Sequence, residues 1–280
     1  MATANLTYPV PATASPSQPT TSKSTLDLIS PVGPNANAVF VNLDEQAPFA
    51  AIRDLFDYLH AHPDDAAQLN TIYPRRGIFK TARLYKKESD QKFTIDLSPA
   101  RRSLIPAALH RSLAGHGLDV VLDFFKHVNA THVPSILSSL SVLAGTDLAA
   151  AHRNSIVNFR LCDYHPDTAA PDCSNGCGAH TDYGTFSVIL QNSTQALERL
   201  PRFPAPGCPS GRIRAARHRV RRTPGVHRLS AVLFVAPDTT TQLQPLPGVQ
   251  RIRPFSREIM QGHQHVEWFK EMIGQTLAAP

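Results

Sequence analysis

At about residue 155 the chain changes its period. Upstream, apolar side chains recur at three- and four-residue steps: Phe49, Ile52, Leu55, Phe56 and Leu59, then Leu109, Leu113, Leu118, Val121, Leu122 and Phe125, then Ile136, Leu137, Leu140 and Leu143. That spacing lays each set along one face of a helix. Downstream, Ile156, Asn158, Arg160 and Cys162 alternate with Val157, Phe159 and Leu161, the two-residue period of a strand with unlike faces. Residues 185–191 and 230–235 read as two further strands. Helices followed by strands, rather than alternating with them, predict an α+β domain around an antiparallel β-barrel or jelly roll.

The element boundaries follow from the same patterns. Residues 1–37 are rich in Pro, Ser, Thr and Asn and read as a disordered leader. Order is expected from a short strand at 38–43, and residues 38–280 form a single domain. Its 38–150 part is mainly helical, with helices at 47–61, about 105–128 and 133–145, the second interrupted at Gly115 and Gly117. His62-Pro63 ends the first helix, and 63–103 reads as basic and polar loops around Phe79, Leu84 and Phe93. Residues 155–237 hold the β core. A closing helix is expected at 255–275, with Ile259, Val266, Phe269 and Ile273 apolar.

Composition excludes several classes. The 280 residues, 42% of them hydrophobic, suffice for a substantial core. No run approaches the roughly 18–20 apolar residues of a membrane helix. Lys23 is the only basic residue ahead of Arg53, and no basic segment precedes an apolar core, so neither a secretory nor a transit signal is expected and the cytoplasm is the default. Cys162, Cys173, Cys177 and Cys208 are accordingly not expected to form disulfides. The net charge of +6 is concentrated in Arg199, Arg202, Arg212, Arg214, Arg217, Arg219, Arg221, Arg222 and Arg228. This run lacks interleaved aromatics and crosses the candidate site, so it reads as a solvated, partly anion-binding surface rather than a nucleic-acid interface. Nothing in the residues specifies an oligomeric state.

The chemistry concentrates in Gly176-Cys177-Gly178-Ala179-His180-Thr181-Asp182-Tyr183-Gly184. On an extended strand His180 and Asp182 point to the same side. One more histidine from a neighbouring strand completes two imidazoles and a carboxylate on one face of a metal, an arrangement suited to non-haem Fe(II). Further on, Arg228 and Ser230 share a strand face and together can hold a carboxylate. Cys173-x3-Cys177-x2-His180 can also be read as half of a zinc site, but no second thiolate pair stands at a matching spacing. His152, His165 and His227 read as non-ligands.

The run Asn158-Phe159-Arg160-Leu161-Cys162-Asp163-Tyr164, followed by CGAHTDYGTFSVILQN, GRIRAARHRV and RLSAVLFVAP, resembles the isopenicillin N synthase-like 2-oxoglutarate/Fe(II)-dependent dioxygenases. The match covers roughly residues 155–237. It implies a double-stranded β-helix with flanking helices, and iron held by His180, Asp182 and His218. It also implies 2-oxoglutarate held by Arg228, Ser230 and Tyr164. The expected activity is oxidation of a small-molecule substrate by O2, by hydroxylation or desaturation, with release of succinate and CO2. In one departure, the segment between Asp182 and His218 is short and carries Pro201, Pro204, Pro206 and Pro209, which disfavour central strands. Two strands with their turns, roughly 15–20 residues, are missing from the family's pattern. The core is therefore expected to be short of two strands, and the alternative reading is a catalytically impaired, truncated or mis-spliced homologue.

Overall fold

The computed structural model describes residues 45–72, 79–80, 92–153, 156–166, 174–182, 184–192, 196–199, 216–223, 225–238, 241–243 and 260–261. The helical part opens with α1 (Phe49–Ala61), which buries Ile52, Leu55, Phe56 and Leu59 as its spacing requires. A second helix, α2 (Pro63–Thr71), follows at once where loops were expected. Its local signals are Pro63 in the first turn followed by Asp64 and Asp65, favourable at a helix start, and its buried face is Ala66 and Leu69. The same stretch also holds β1 (Phe79–Lys80), β2 (Phe93–Leu97) and the single turn α3 (Pro99–Arg102). Among the described residues of 63–103, these helices and strands therefore replace much of the expected loop.

Next come α4 (Ala107–Gly115) and α5 (Leu118–Ala144). The break falls at the predicted glycines. Gly117 adopts φ +88°, and a Cβ there would lie 2.7 Å from Ala51 Cβ, so the turn demands glycine both for its backbone and for its contact with α1. The expected gap between residues 128 and 133 does not occur, and α5 runs through Pro134. An internal proline costs a backbone hydrogen bond, about 3 kcal/mol in isolation. Here Val121, Phe125, Val128, Val133 and Leu137 continue the buried stripe across it, each contributing roughly 1.5–3 kcal/mol when fully buried. No helix among the described residues is long and apolar enough to cross a membrane.

The β half comprises β3 (Ile156–Tyr164), β4 (Asn175–His180), β5 (Phe186–Gln191), β6 (Leu197–Arg199), β7 (His218–Arg221) and β8 (Arg228–Ala236). An antiparallel five-stranded sheet runs β1-β2-β3-β8-β5, and a three-stranded sheet runs β4-β7-β6. The two faces of the larger sheet differ as the alternation predicts. Val157, Phe159, Leu161, Leu229, Ala231, Leu233 and Val235 join the helices in one core, where Phe159 stacks on Phe125 of α5 at 4.5 Å and 9°. The opposite face carries Asp96, Arg160, Cys162, Tyr164, Arg228 and Ser230, in register across β2, β3 and β8. Cys162 and Tyr164 from this face pack with Val220 of β7 and Cys177 of β4, joining the two sheets. This is the jelly-roll arrangement, with a polar interior at one end.

Among the described residues the larger sheet ends at β5 and the smaller at β6. The proline-rich segment that prompted the expectation of two missing strands, at 200–215, lies outside the described residues, as do the leader and the strand expected at 38–43. Most of 255–275 is outside them too, but Met260–Gln261 there forms β10, paired with β9 (Gln242–Leu243). A helix therefore does not cross 260–261. Antiparallel pairing needs extended backbone, which an apolar three- and four-residue spacing does not exclude.

Candidate metal centre

Strand pairing brings the histidines together. His180 ends β4 and His218 begins β7, and the two are direct cross-strand partners. The ladder is irregular between Asn175 and Cys177 and again between Cys177 and His180; such irregularities re-aim side chains. The two rings stand 4.3 Å apart, tilted by 56°. His180 Nδ1–H donates to the Gly178 carbonyl at 2.7 Å, and His218 Nδ1–H donates to the Ala216 carbonyl at 3.1 Å. Both imidazoles are thereby held in the tautomer that leaves the Nε2 lone pair available, the outer-layer support that metal-ligating histidines use.

Asp182 completes the group from the first residues after β4. Its Oδ1 lies 3.5 Å from His180 Nε2, and its Oδ2 accepts a 2.7 Å hydrogen bond from Ser187 Oγ of β5. One ligand atom from each of His180, Asp182 and His218 lies within 4.8 Å of the others. Donors about 2.0–2.2 Å from a first-row ion on adjacent octahedral positions stand roughly 3 Å apart, so small side-chain movements close the set. The electrostatics agree. His180 is pushed up to about 10, chiefly by the Asp182 carboxylate and next by Cys177. Asp182 stays below its ordinary value although burial raises it, because His180 and Ser187 bond to it and His218 lies close. The site thus favours a positive charge between imidazole and carboxylate, where a cation would replace a proton.

Deeper in the barrel, Arg228 and Tyr164 are cross-strand partners, as are Ser230 and Cys162, and Ser230 and Gln191. All of Arg228, Tyr164 and Ser230 are buried. Arg228 Nη2 donates to Gln191 Oε1 at 2.9 Å, and the guanidinium lies 4.7 Å from the centre of the Tyr164 ring. Its Nε and Nη1 are buried with no hydrogen-bond partner among the described residues. A buried guanidinium with two unmatched N–H groups is costly unless an anion arrives, and a carboxylate matches that fork. Burial pushes the Tyr164 hydroxyl up, so it remains a neutral donor.

The histidines set aside from the sequence are occupied elsewhere. His152 spans the Leu148 carbonyl and Thr185 Oγ1, both at 2.6 Å. His227 Nε2–H donates at 2.6 Å to Asp163, a fully buried carboxylate that also accepts from His60 at 3.0 Å, and His165 packs on the His60 and His227 rings. In the half-zinc reading, Cys173 lies outside the described residues. Cys177 Sγ approaches His180 from the Nδ1 side, at 3.8 Å, away from the nitrogen that faces Asp182. Among the described side chains of the arginine run, Arg219 and Arg221 pair with Glu198, Arg222 and Arg228 are buried, and Arg217 is exposed. Sequence reasoning missed Ser187 and Gln191. Their alternate positions in Phe186–Gln191 carried the signal, since both share the face that β8 turns towards Ser230.

No protein-family profile matches the chain. The scopoletin 8-hydroxylase of Arabidopsis thaliana is 25% identical over 166 residues, 49% of this chain and 46% of that protein; the match spans about half the length of this curated relative. Among solved structures, full-length Neurospora crassa T7H in complex with alpha-KG superimposes with a TM-score of 0.55 at 15% identity, covering 83% of this chain and 84% of that one. The rice dioxygenase for auxin oxidation gives 0.55 at 21% identity, over 81% and 80% of the two chains. A putative 2OG-Fe(II) oxygenase family protein from Caulobacter crescentus gives 0.57 at 16%, over 80% and 85%.

Proposed function

We propose that this chain, which has the double-stranded β-helix fold of the 2-oxoglutarate/Fe(II) oxygenases and is similar to their isopenicillin N synthase-like branch, is an Fe(II)- and 2-oxoglutarate-dependent dioxygenase oxidising a small molecule. The observation that carries this is the pairing of two sites in one barrel. Three donor atoms converge beside Ser187, and two buried N–H groups of Arg228 point to an anion beside Gln191.

His180, Asp182 and His218 would hold the iron, and Arg228, Ser230 and Tyr164 the distal carboxylate of 2-oxoglutarate. Bound iron would supply O2 activation, with one oxygen atom going to succinate as CO2 leaves 2-oxoglutarate and the other to the substrate on hydroxylation. The residues do the rest. The Gly178 and Ala216 carbonyls keep both Nδ1 atoms protonated and both Nε2 atoms free to ligate. Ser187 orients Asp182 by holding the oxygen that does not face His180. Arg228 neutralises the cosubstrate's charge in a buried setting where Coulomb attraction is strong, and the Tyr164 ring excludes water from that end.

The test is succinate release by the purified full chain with Fe(II), 2-oxoglutarate and a panel of small-molecule substrates. Turnover abolished in His180→Ala supports the assignment. Iron bound at one equivalent without any turnover favours the impaired-homologue reading. No iron binding at all overturns both.

A further inference from the structure

A second group of metal-ligating side chains lies outside the barrel. Glu45, ahead of α1, reaches His127 and His132 on α5: Glu45 Oε1 is 2.7 Å from His127 Nε2 and 3.1 Å from His132 Nε2. The three ligand atoms fall within 4.8 Å of one another. Nothing local in the sequence dictates this. On a straight helix, residues five apart diverge by about 140°, whereas histidines left to helix geometry alone would pair at i, i+4. Here the imidazoles stand 6.3 Å apart with planes at 81°, and the carboxylate of a distant segment enters between them.

We propose that Glu45, His127 and His132 form a second divalent-cation site, of the zinc class, which ties the segment ahead of α1 to α5. Two imidazoles and a carboxylate are a recurrent protein set for Zn2+ with one coordination position left to water. Donors at 2.0–2.1 Å around a tetrahedral ion are roughly 3.4 Å apart. The two Glu–His distances, 2.7 and 3.1 Å, fall short of that value by about 0.7 and 0.3 Å, so an opening of less than about 1 Å there admits the ion. The set, one carboxylate and two neutral imidazoles, presents one negative charge to the dication. The site lies at the surface but is partly shielded, since the side chains of Glu45 and His132 are 27% and 21% exposed and that of His127 is 56%. A site open on one side gives a reversible clamp rather than a buried structural zinc.

The barrel centre has a similar ligand set, so the test removes it. The full-length His180→Ala/Asp182→Ala variant is dialysed against ZnCl2 alone and its bound zinc is measured. The expected result is one retained equivalent and a zinc-dependent rise in melting temperature. Adding His127→Gln, an exposed change that leaves the fold intact, should weaken retention at least roughly tenfold, and adding Glu45→Gln should do likewise. An unchanged melting temperature in EDTA for the His127→Gln protein verifies that folding is not the cause. No retained zinc in the barrel-disabled protein, or equal retention after both further substitutions, overturns the proposal. Neither outcome bears on succinate release by the parent chain, so this inference fails independently of the oxygenase reading.

Discussion

Replacing Arg228 by methionine separates a binding arginine from a structural one. In the ligand-free protein the guanidinium gains one 2.9 Å bond to Gln191 and a contact with the Tyr164 ring. Against these stand two buried N–H groups without partners, each costing about 1–3 kcal/mol. The favourable side is about 1.5–3 kcal/mol for the hydrogen bond, whose donor is charged, and about 0.5–2 kcal/mol for the cation–π contact. The opposing contributions nearly cancel, so Arg228→Met should leave the unfolding free energy of ligand-free protein within about 2 kcal/mol of the parent. Truncating one partner of a satisfied buried ion pair instead costs about 3–5 kcal/mol. Binding behaves differently. A carboxylate that takes both free N–H groups gains two charge-assisted bonds of about 1.5–3 kcal/mol each. Their loss corresponds to roughly a 10²–10⁴-fold weaker 2-oxoglutarate dissociation constant. The assays are urea unfolding without ligand and anaerobic calorimetric titration of 2-oxoglutarate into Fe(II)-loaded protein. An affinity within threefold of the parent, or a stability loss above about 4 kcal/mol, refutes the reasoning.

Ser187→Ala removes the 2.7 Å bond to Asp182 Oδ2 and should weaken Fe(II) binding by roughly 10–100-fold, read by equilibrium dialysis, with melting temperature nearly unchanged. Gly184→Ala should destabilise the protein and lower Fe(II) affinity together, because the added Cβ would stand 2.5 Å from the Val235 carbonyl oxygen and displace the loop that carries Asp182; unchanged calorimetric stability would contradict the contact. Tyr164 should ionise above the ordinary tyrosine range, since burial raises its pKa. Folding then retains a proton that the unfolded chain releases near pH 10, so the Tyr164 contribution to stability is full below that pH and declines above it. Absorbance at 295 nm in parent and Tyr164→Phe protein checks this: the late-titrating signal should disappear in the variant.

What was legible in the sequence was whatever a short window determines. The alternation at 156–162 gave both faces of β3, because the pleat imposes a two-residue period. Gly115 and Gly117 marked a turn that only left-handed backbone closes. Tertiary burial decided the rest. A gap was expected between residues 128 and 133, yet the helix is continuous there, with Val128 and Val133 both buried in the core. The helix at Pro63–Thr71 was missed because it shows only two buried residues, although Pro63, Asp64 and Asp65 signalled its start. His180 and Asp182 could be paired from spacing, whereas His218 was reached only through resemblance, since strand register depends on distant hydrogen bonds. Glu45 with His127 and His132 had no local signature at all.

The short path between Asp182 and His218 bears differently on the two halves of the chemistry. His180 and His218 are aligned by the ladder between β4 and β7, and β7 is held on its other side by β6, where Arg199 pairs with His218 and Leu197 with Val220. Asp182 is oriented by Ser187 on β5, which β8 places through the register of Ser187 with Phe234. Each restraint on a ligand thus comes from a strand outside residues 200–215. The carboxylate end is equally independent, because Arg228, Ser230, Tyr164 and Gln191 lie on β3, β8 and β5, with Tyr164 also packed against Val220 of β7 and Cys177 of β4. A shortened connection would therefore leave the proposed metal and cosubstrate groups as these strands hold them. A chain impaired only through that connection should still bind Fe(II) and 2-oxoglutarate, which anaerobic titration of each into the purified protein checks.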